Sequence, residues 1–307
     1  MFPQRNTARH SITRITIVTI AACLVLGMLN SDQTGASAVA GDSDKAPPVT
    51  QPPARLVAAA AVAIEAVPAD SAGSVDALRD LARRDPTAFM RMCLDRYERD
   101  IRDYTCVFHK HERISGKLRK TEEIEVRYRE SPKSVFMIWR KNADQAKRVL
   151  FRDGPEYVND KGEKLARIEP AGALIRLVVS DIMMPIHGKR ARKSSRRPID
   201  QFGFRAALEK LLADNRRAAS RGDLDFRFAG ESEVDGRPTF VFERTLPYGG
   251  PQGAYPNARM VMHIDQQWLL PTAIYTYADT AGKKLLGSYV YTAVVLNPDL
   301  NDAAFRF

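Results

Sequence analysis

Residues 104–140, YTCVFHKHERISGKLRKTEEIEVRYRESPKSVFMIWR, read as three antiparallel strands in succession, and much of the later chain repeats the same kind of pattern. Gly116 sits in the first turn. Ser131-Pro132 marks the second, because proline has no N–H to give a central ladder. The middle strand alternates, with Ile124, Val126 and Tyr128 on one face and Glu123, Glu125, Arg127 and Arg129 on the other. From Ser134 to Arg140 both faces are apolar: Val135, Met137 and Trp139 oppose Phe136 and Ile138. Such a strand needs cover on two sides.

Upstream, Asp85-Pro86 is a helix start, an N-cap acid followed by proline at the first helical position. Phe89, Cys93, Tyr97 and Ile101 then form one apolar stripe, which is expected to lie on the sheet and seal one face of it. A shorter helix is expected over Val75 to Arg84.

Downstream, strands are expected at Lys147–Arg152, Glu156–Asn159 and Lys164–Ile168. Ala173 to Val179 is short and apolar, a buried strand or a helix fragment. A basic run follows, and then a helix over Phe204–Ala219 with Leu208, Leu211 and Leu212 on one side and Gly203 at its entrance. Strands return at Leu224–Ser232 and Arg237–Arg244, flanking the hairpin signal Asp235-Gly236. Arg259–Asp265, Thr272–Ala278 and Lys284–Leu296 complete the sheet. Strands in runs, with two or three helices, argue an α+β fold built on a mainly antiparallel sheet.

The N-terminus carries Arg5, Arg9, His10 and Arg14, an apolar run from Ile15 to Leu29, and small residues around Ala38 and Ala40. That is the layout of a secretory signal peptide over residues 1–40, and the run is short for a bilayer span. A rival reading takes Ile20-Ala21-Ala22-Cys23 as a loose lipobox with Cys23 lipidated, although Leu24-Val25-Leu26 continues the apolar run past the cysteine. Residues 41–73 are a Pro/Ala-rich linker, expected to be disordered, and residues 74–307 a single folded domain. The protein is therefore expected to be exported, to the periplasm or cell envelope. The whole chain has 47 Lys+Arg against 37 Asp+Glu, a formal charge of +10, which suits an anionic surface or simply solubility. With 44% hydrophobic residues it can bury a core without disulfides.

Three segments carry a family resemblance: ERISGKLRKTEEIEVRYRESPKSVFMIW, RRPIDQFGF, and the closing stretch from His263 to Phe307. They resemble the exported bacterial domain-of-unknown-function family 1571, over roughly residues 75–307. The closing pattern is also similar to the periplasmic lipoprotein carriers LolA and LolB: strand, Asp-x-x-Gly turn, strand, Asn-Pro, and a final Phe-x-Phe. That similarity implies a strongly curved, unclosed antiparallel sheet, a half-barrel, with helices on its concave side. In the carriers the cavity receives acyl chains. The basic run is not a feature shared with them, so no functional residue is carried over.

Candidate sites follow from residue types. Val135, Met137 and Trp139 on one strand and Met260, Met262 and Ile264 on another are candidate ligand-lining residues, since methionine adapts to variable apolar shapes. The same side chains could equally fill a solid core. Lys189, Arg190, Arg192, Lys193, Arg196 and Arg197 are a candidate anionic-surface patch, or else a mobile solvated loop. Cys93 and Cys106 are a candidate disulfide or two inert buried thiols. His109 and His111 share a strand face, which is too few ligands for a metal site without a third. No motif calls for a cofactor, a nucleic-acid partner or a catalytic triad.

The leading expectation is a non-catalytic binding or carrier protein for an apolar or lipid-like ligand. The alternative is an envelope scaffold or assembly protein, and a third is a hydrolase. An apolar cavity separates the first from the second. Close, desolvated carboxylates in a cleft would favour the third.

Overall fold

The computed structural model describes residues 75–172 and 179–307. The expected signal peptide, the linker and most of the Ala173–Val179 stretch lie outside the described residues. Two helices come first, α1 (Val75–Arg84) and α2 (Pro86–Asp100). Seven strands follow: β1 (Asp103–Ile114), β2 (Lys117–Leu118), β3 (Glu122–Arg129), β4 (Ser134–Lys141), β5 (Ala146–Arg152), β6 (Leu165–Pro170) and β7 (Ile182–Pro185). After α3 (Lys189–Ser194) and α4 (Phe204–Ala219) come β8 (Asp225–Val234), β9 (Arg237–Thr245), β10 (Arg259–Asp265), β11 (Pro271–Tyr277) and β12 (Leu285–Leu296).

These strands form one sheet in the spatial order β7-β6-β5-β4-β3-β1-β12-β11-β10-β9-β8, with β2 paired to β1 off that path. Every pairing is antiparallel. The chain steps outward from β1 to the β7 edge, restarts at the β8 edge and steps back until β12 pairs with β1. The two edges do not pair with each other, so the sheet is unclosed.

The stripe on α2 is buried as its spacing requires, with Phe89, Cys93 and Tyr97 at 0%, 0% and 1% exposure. Asp85 caps this helix by accepting from the Ala88 N–H at 2.8 Å. Phe89 packs on Phe240 and Phe242 of β9, while the Tyr97 hydroxyl donates to Glu130, just past β3. Phe204 of α4 meets Tyr104 of β1 and Tyr291 of β12, with ring centroids 4.6 and 4.7 Å apart. One core thus gathers side chains from both halves of the sheet, which requires the sheet to curve strongly around α2 and α4. Each such buried ring contributes roughly 1.5–3 kcal/mol.

The opposite face of β4 has its own cover. Phe136 and Leu150 pack with Tyr157 and with Phe305 of the C-terminal 3-10 turn Asp302–Phe305. Arg127 donates to the Ala304 carbonyl at 2.8 Å, and Arg129 pairs with Asp302 at 2.7 Å, holding that turn in place.

Two local expectations are corrected. Instead of a strand at Glu156–Asn159 there is a 3-10 turn, Pro155–Tyr157, and only Val158 bridges, to Lys164. The cause is the Asn159 side chain, whose oxygen accepts from both Lys161 and Glu163 N–H and closes a tight turn. The described helices number four rather than two or three, because the basic run forms one of its own, α3. Lys, Arg and Ala are good helix formers, and Lys189–Ser194 takes up the first part of the basic run with no residue buried.

Candidate functional site

A cavity of about 340 Å³ lies between the concave face of the sheet and the segment from the end of β7 to the start of α4. Its floor comes from inward positions of β1, β3, β4, β5 and β6: Phe108, Ile124, Met137, Trp139, Val149, Ala166 and Ile168. Ile182 and Met184 of β7, paired with Ile168 and Ala166 of β6, extend that floor, and Ile186, Ile199 and Phe202 cover it. The volume falls at the lower end of small-molecule sites.

Of the six candidate lining residues, only Met137 and Trp139 face this cavity. Val135, Met260, Met262 and Ile264 are in the solid core, at 0%, 4%, 1% and 0% exposure. The difference lies in what covers each half of the sheet. Phe89 of α2 packs directly against β9, the neighbour of β10, whereas β4–β6 meet the shorter and less regular 186–203 segment. Met260 and Met262 on β10 are therefore packed into core.

The basic run borders the same cavity. Lys189, Arg190, Lys193 and Arg197 line it, while Arg192 and Arg196 do not. The Arg197 guanidinium stands 6.0 Å from the Tyr289 ring centroid, and the Arg196 side chain reaches the Pro256 carbonyl at 3.5 Å.

Inside the cavity wall is a buried polar cluster that the strand alternation could have revealed. Phe108, Lys110 and Glu112 point inward together on β1, opposite His109 and His111. Lys110 Nζ lies 3.1 Å from Glu122 Oε2 and 3.9 Å from Glu112 Oε2. Glu122 also accepts from Trp139 Nε1 at 2.5 Å. Glu112 accepts from the Tyr289 hydroxyl at 2.7 Å and from the Arg196 backbone N–H at 3.1 Å. Burial and the Glu112 carboxylate both push the Tyr289 phenol upward, so it serves as a neutral donor. Two carboxylates therefore share the cavity wall, but each is held by fixed donors.

The cysteines are both free and buried, and burial raises both thiols. His109 shares a hydrogen bond with Thr292 at 3.0 Å. Among the described residues no group of three or more His, Cys, Asp or Glu side chains is placed to hold a metal ion.

The family described as "Protein of unknown function (DUF1571)" matches residues 101–307. The chain belongs to this family. The DUF1571 region contains every described strand and every residue lining the cavity, and it begins at the end of α2. No curated protein sequence matches the chain significantly. Among solved structures, it is similar to MucB in the Pseudomonas aeruginosa MucA/MucB complex, at 17% identity and a TM-score of 0.41, covering 72% of this chain and 61% of that one. The match thus spans less than two thirds of MucB. It is also similar to the Mycobacterium tuberculosis lipoprotein LppX, at 16% identity and a TM-score of 0.36, covering 71% of this chain and 98% of that one. A LolA superfamily protein from Nitrosomonas europaea aligns at 11% identity and a TM-score of 0.32, covering 71% and 97% of the two chains. Among the described residues, no helix is long and apolar enough to cross a membrane.

Proposed function

We propose that this protein is an exported, non-catalytic binding protein of the cell envelope whose ligand is apolar or lipid-like. The carrying observation is the cavity itself, floored by Phe108, Ile124, Met137, Ile168 and Met184 and covered by Ile186 and Phe202. A scaffold protein gains nothing from leaving such apolar surface unfilled, since a void forfeits packing contacts. A hydrolase is the second reading, favoured by Glu112 and Glu122 in one cavity wall. Lys110 sits between them, and donors from Trp139 and Tyr289 already engage both carboxylates.

Native mass spectrometry of protein purified from its own envelope tests this reading. Co-purifying lipid is expected, together with uptake of an environment-sensitive apolar dye that fatty acid displaces. Met184→Glu puts a charge in the cavity floor and is expected to abolish dye uptake while circular dichroism stays unchanged. Protein that comes ligand-free and ignores the dye would return the function to the scaffold reading.

A further inference from the structure

We infer that the ligand is an acidic amphiphile, a single acyl chain with a phosphate or carboxylate headgroup, and that Lys189, Arg190 and Lys193 recognise the headgroup. This rests on the binding-protein reading above and specifies the chemistry of that same cavity. Five cations and three carboxylates line the cavity: Lys110, Lys189, Arg190, Lys193 and Arg197 against Glu112, Glu122 and Asp144. The three carboxylates are already engaged. Glu112 and Glu122 are held by the buried cluster, and Asp144 pairs with Arg119 at 3.8 Å.

The cations of α3 have no such counterpart. Lys189, Arg190 and Lys193 form no ion pair with any carboxylate among the described residues, and no acidic residue lies in the helix. All three are exposed, yet they also line the cavity. A largely apolar cavity is therefore also lined by three positive charges that have no ion-pair partner among the described residues. An uncharged lipid would leave those charges unmatched, and a free anion would leave the floor unfilled. A molecule with an anionic head and an apolar tail satisfies both.

The position of α3 is fixed rather than incidental. Lys110 Nζ reaches the Ser194 carbonyl at 3.5 Å, and Glu112 accepts from the Arg196 N–H. The buried cluster thus ties the chain just after α3 to the cavity wall and keeps the basic residues at the rim. Their side chains can match an anionic group with charge-assisted hydrogen bonds, which are the strong kind.

Trp139 gives the readout, since it lines the cavity and a Trp268→Phe background leaves it as the one tryptophan. Monododecyl phosphate, dodecanol and inorganic phosphate would be titrated separately into the intact protein, below micelle-forming concentrations. Dodecyl phosphate is expected to bind about tenfold more tightly than dodecanol, with the gap narrowing as salt rises. Inorganic phosphate alone is expected to leave Trp139 fluorescence unchanged. Substituting Lys189, Arg190 and Lys193 together by Gln is expected to erase the difference between the two amphiphiles while dodecanol binding persists. Equal binding of dodecanol and dodecyl phosphate by the unsubstituted protein overturns the headgroup assignment and leaves the cavity reading standing. Failure of both to bind overturns the two together. Binding of vesicles rich in phosphatidylglycerol with no change at Trp139 would make α3 a membrane-docking face and also overturn the assignment.

Discussion

Lys110 Nζ lies 3.1 Å from Glu122 Oε2, and both side chains are only about a tenth exposed. Lys110 is the ammonium shared with Glu112, so removing it strands two carboxylates in a wall that water barely reaches. Lys110→Met is expected to cost about 3–5 kcal/mol in chemical denaturation, the range for breaking a buried pair from one side. Adding Glu122→Gln to that variant should recover part of the loss. A single variant that unfolds no earlier than the parent would mean the cluster is better solvated than its geometry indicates.

Gly203 precedes α4 with φ of +116°, and a Cβ there would sit 2.9 Å from the Tyr104 hydroxyl and 3.0 Å from the Tyr128 ring. Those rings stack at 4.7 Å and close the core beneath the cavity. Gly203→Ala is expected to lower stability by about 2–3 kcal/mol, combining backbone strain with overpacking. Gly222→Ala makes the control. It has φ of +74° with nothing within 4 Å of the new methyl, so only the strain contribution should remain.

The elements whose partners are close in sequence could be read directly. Ile124, Val126 and Tyr128 alternate because one face of β3 is buried, and Asp235-Gly236 turns β8 into β9 in the register that a two-residue hairpin imposes. The α2 stripe announces a helix laid on a sheet. The cavity is different, because its position depends on which half of the sheet each helix covers. Met137 and Met262 have the same apolar character in sequence, yet one lines the cavity and the other lies in packed core. The polar cluster left a fainter signal. The tripeptide His109-Lys110-His111 draws attention to its imidazoles, while Lys110 on the opposite face joins a glutamate two residues on and another across the strand pair.

His263 is buried against Thr239, and desolvation lowers its pKa to about 4. The unfolded chain would hold that imidazole near 6.5, so between those values the unfolded state binds the extra proton. Stability from this group is complete above pH 6.5 and is lost as pH falls toward 4, on the order of 3 kcal/mol in all. His109 and His111 are lowered in the same direction, so the total slope is shared. His263→Gln is expected to flatten the fall in denaturation midpoint between pH 6.5 and 5. An unchanged slope would show that His263 is hydrated in the folded protein.

Ala166 tests whether the cavity is a binding site or a packing defect. It lies on β6 opposite Met184 of β7, is 2% exposed, and lines the cavity floor. A phenyl ring at that position would project into space that is otherwise empty, so Ala166→Phe should leave the core around α2 untouched. Filling a void restores contacts that its walls lack, so the thermal midpoint is expected to hold or rise by a few degrees. If the cavity is the site, the same substitution takes the volume an acyl chain needs and weakens uptake of an apolar dye by about tenfold or more. Stability and binding then move in opposite directions, as expected when a cavity is kept open for function. A variant that gains stability and still takes up dye would move the binding surface elsewhere on the sheet.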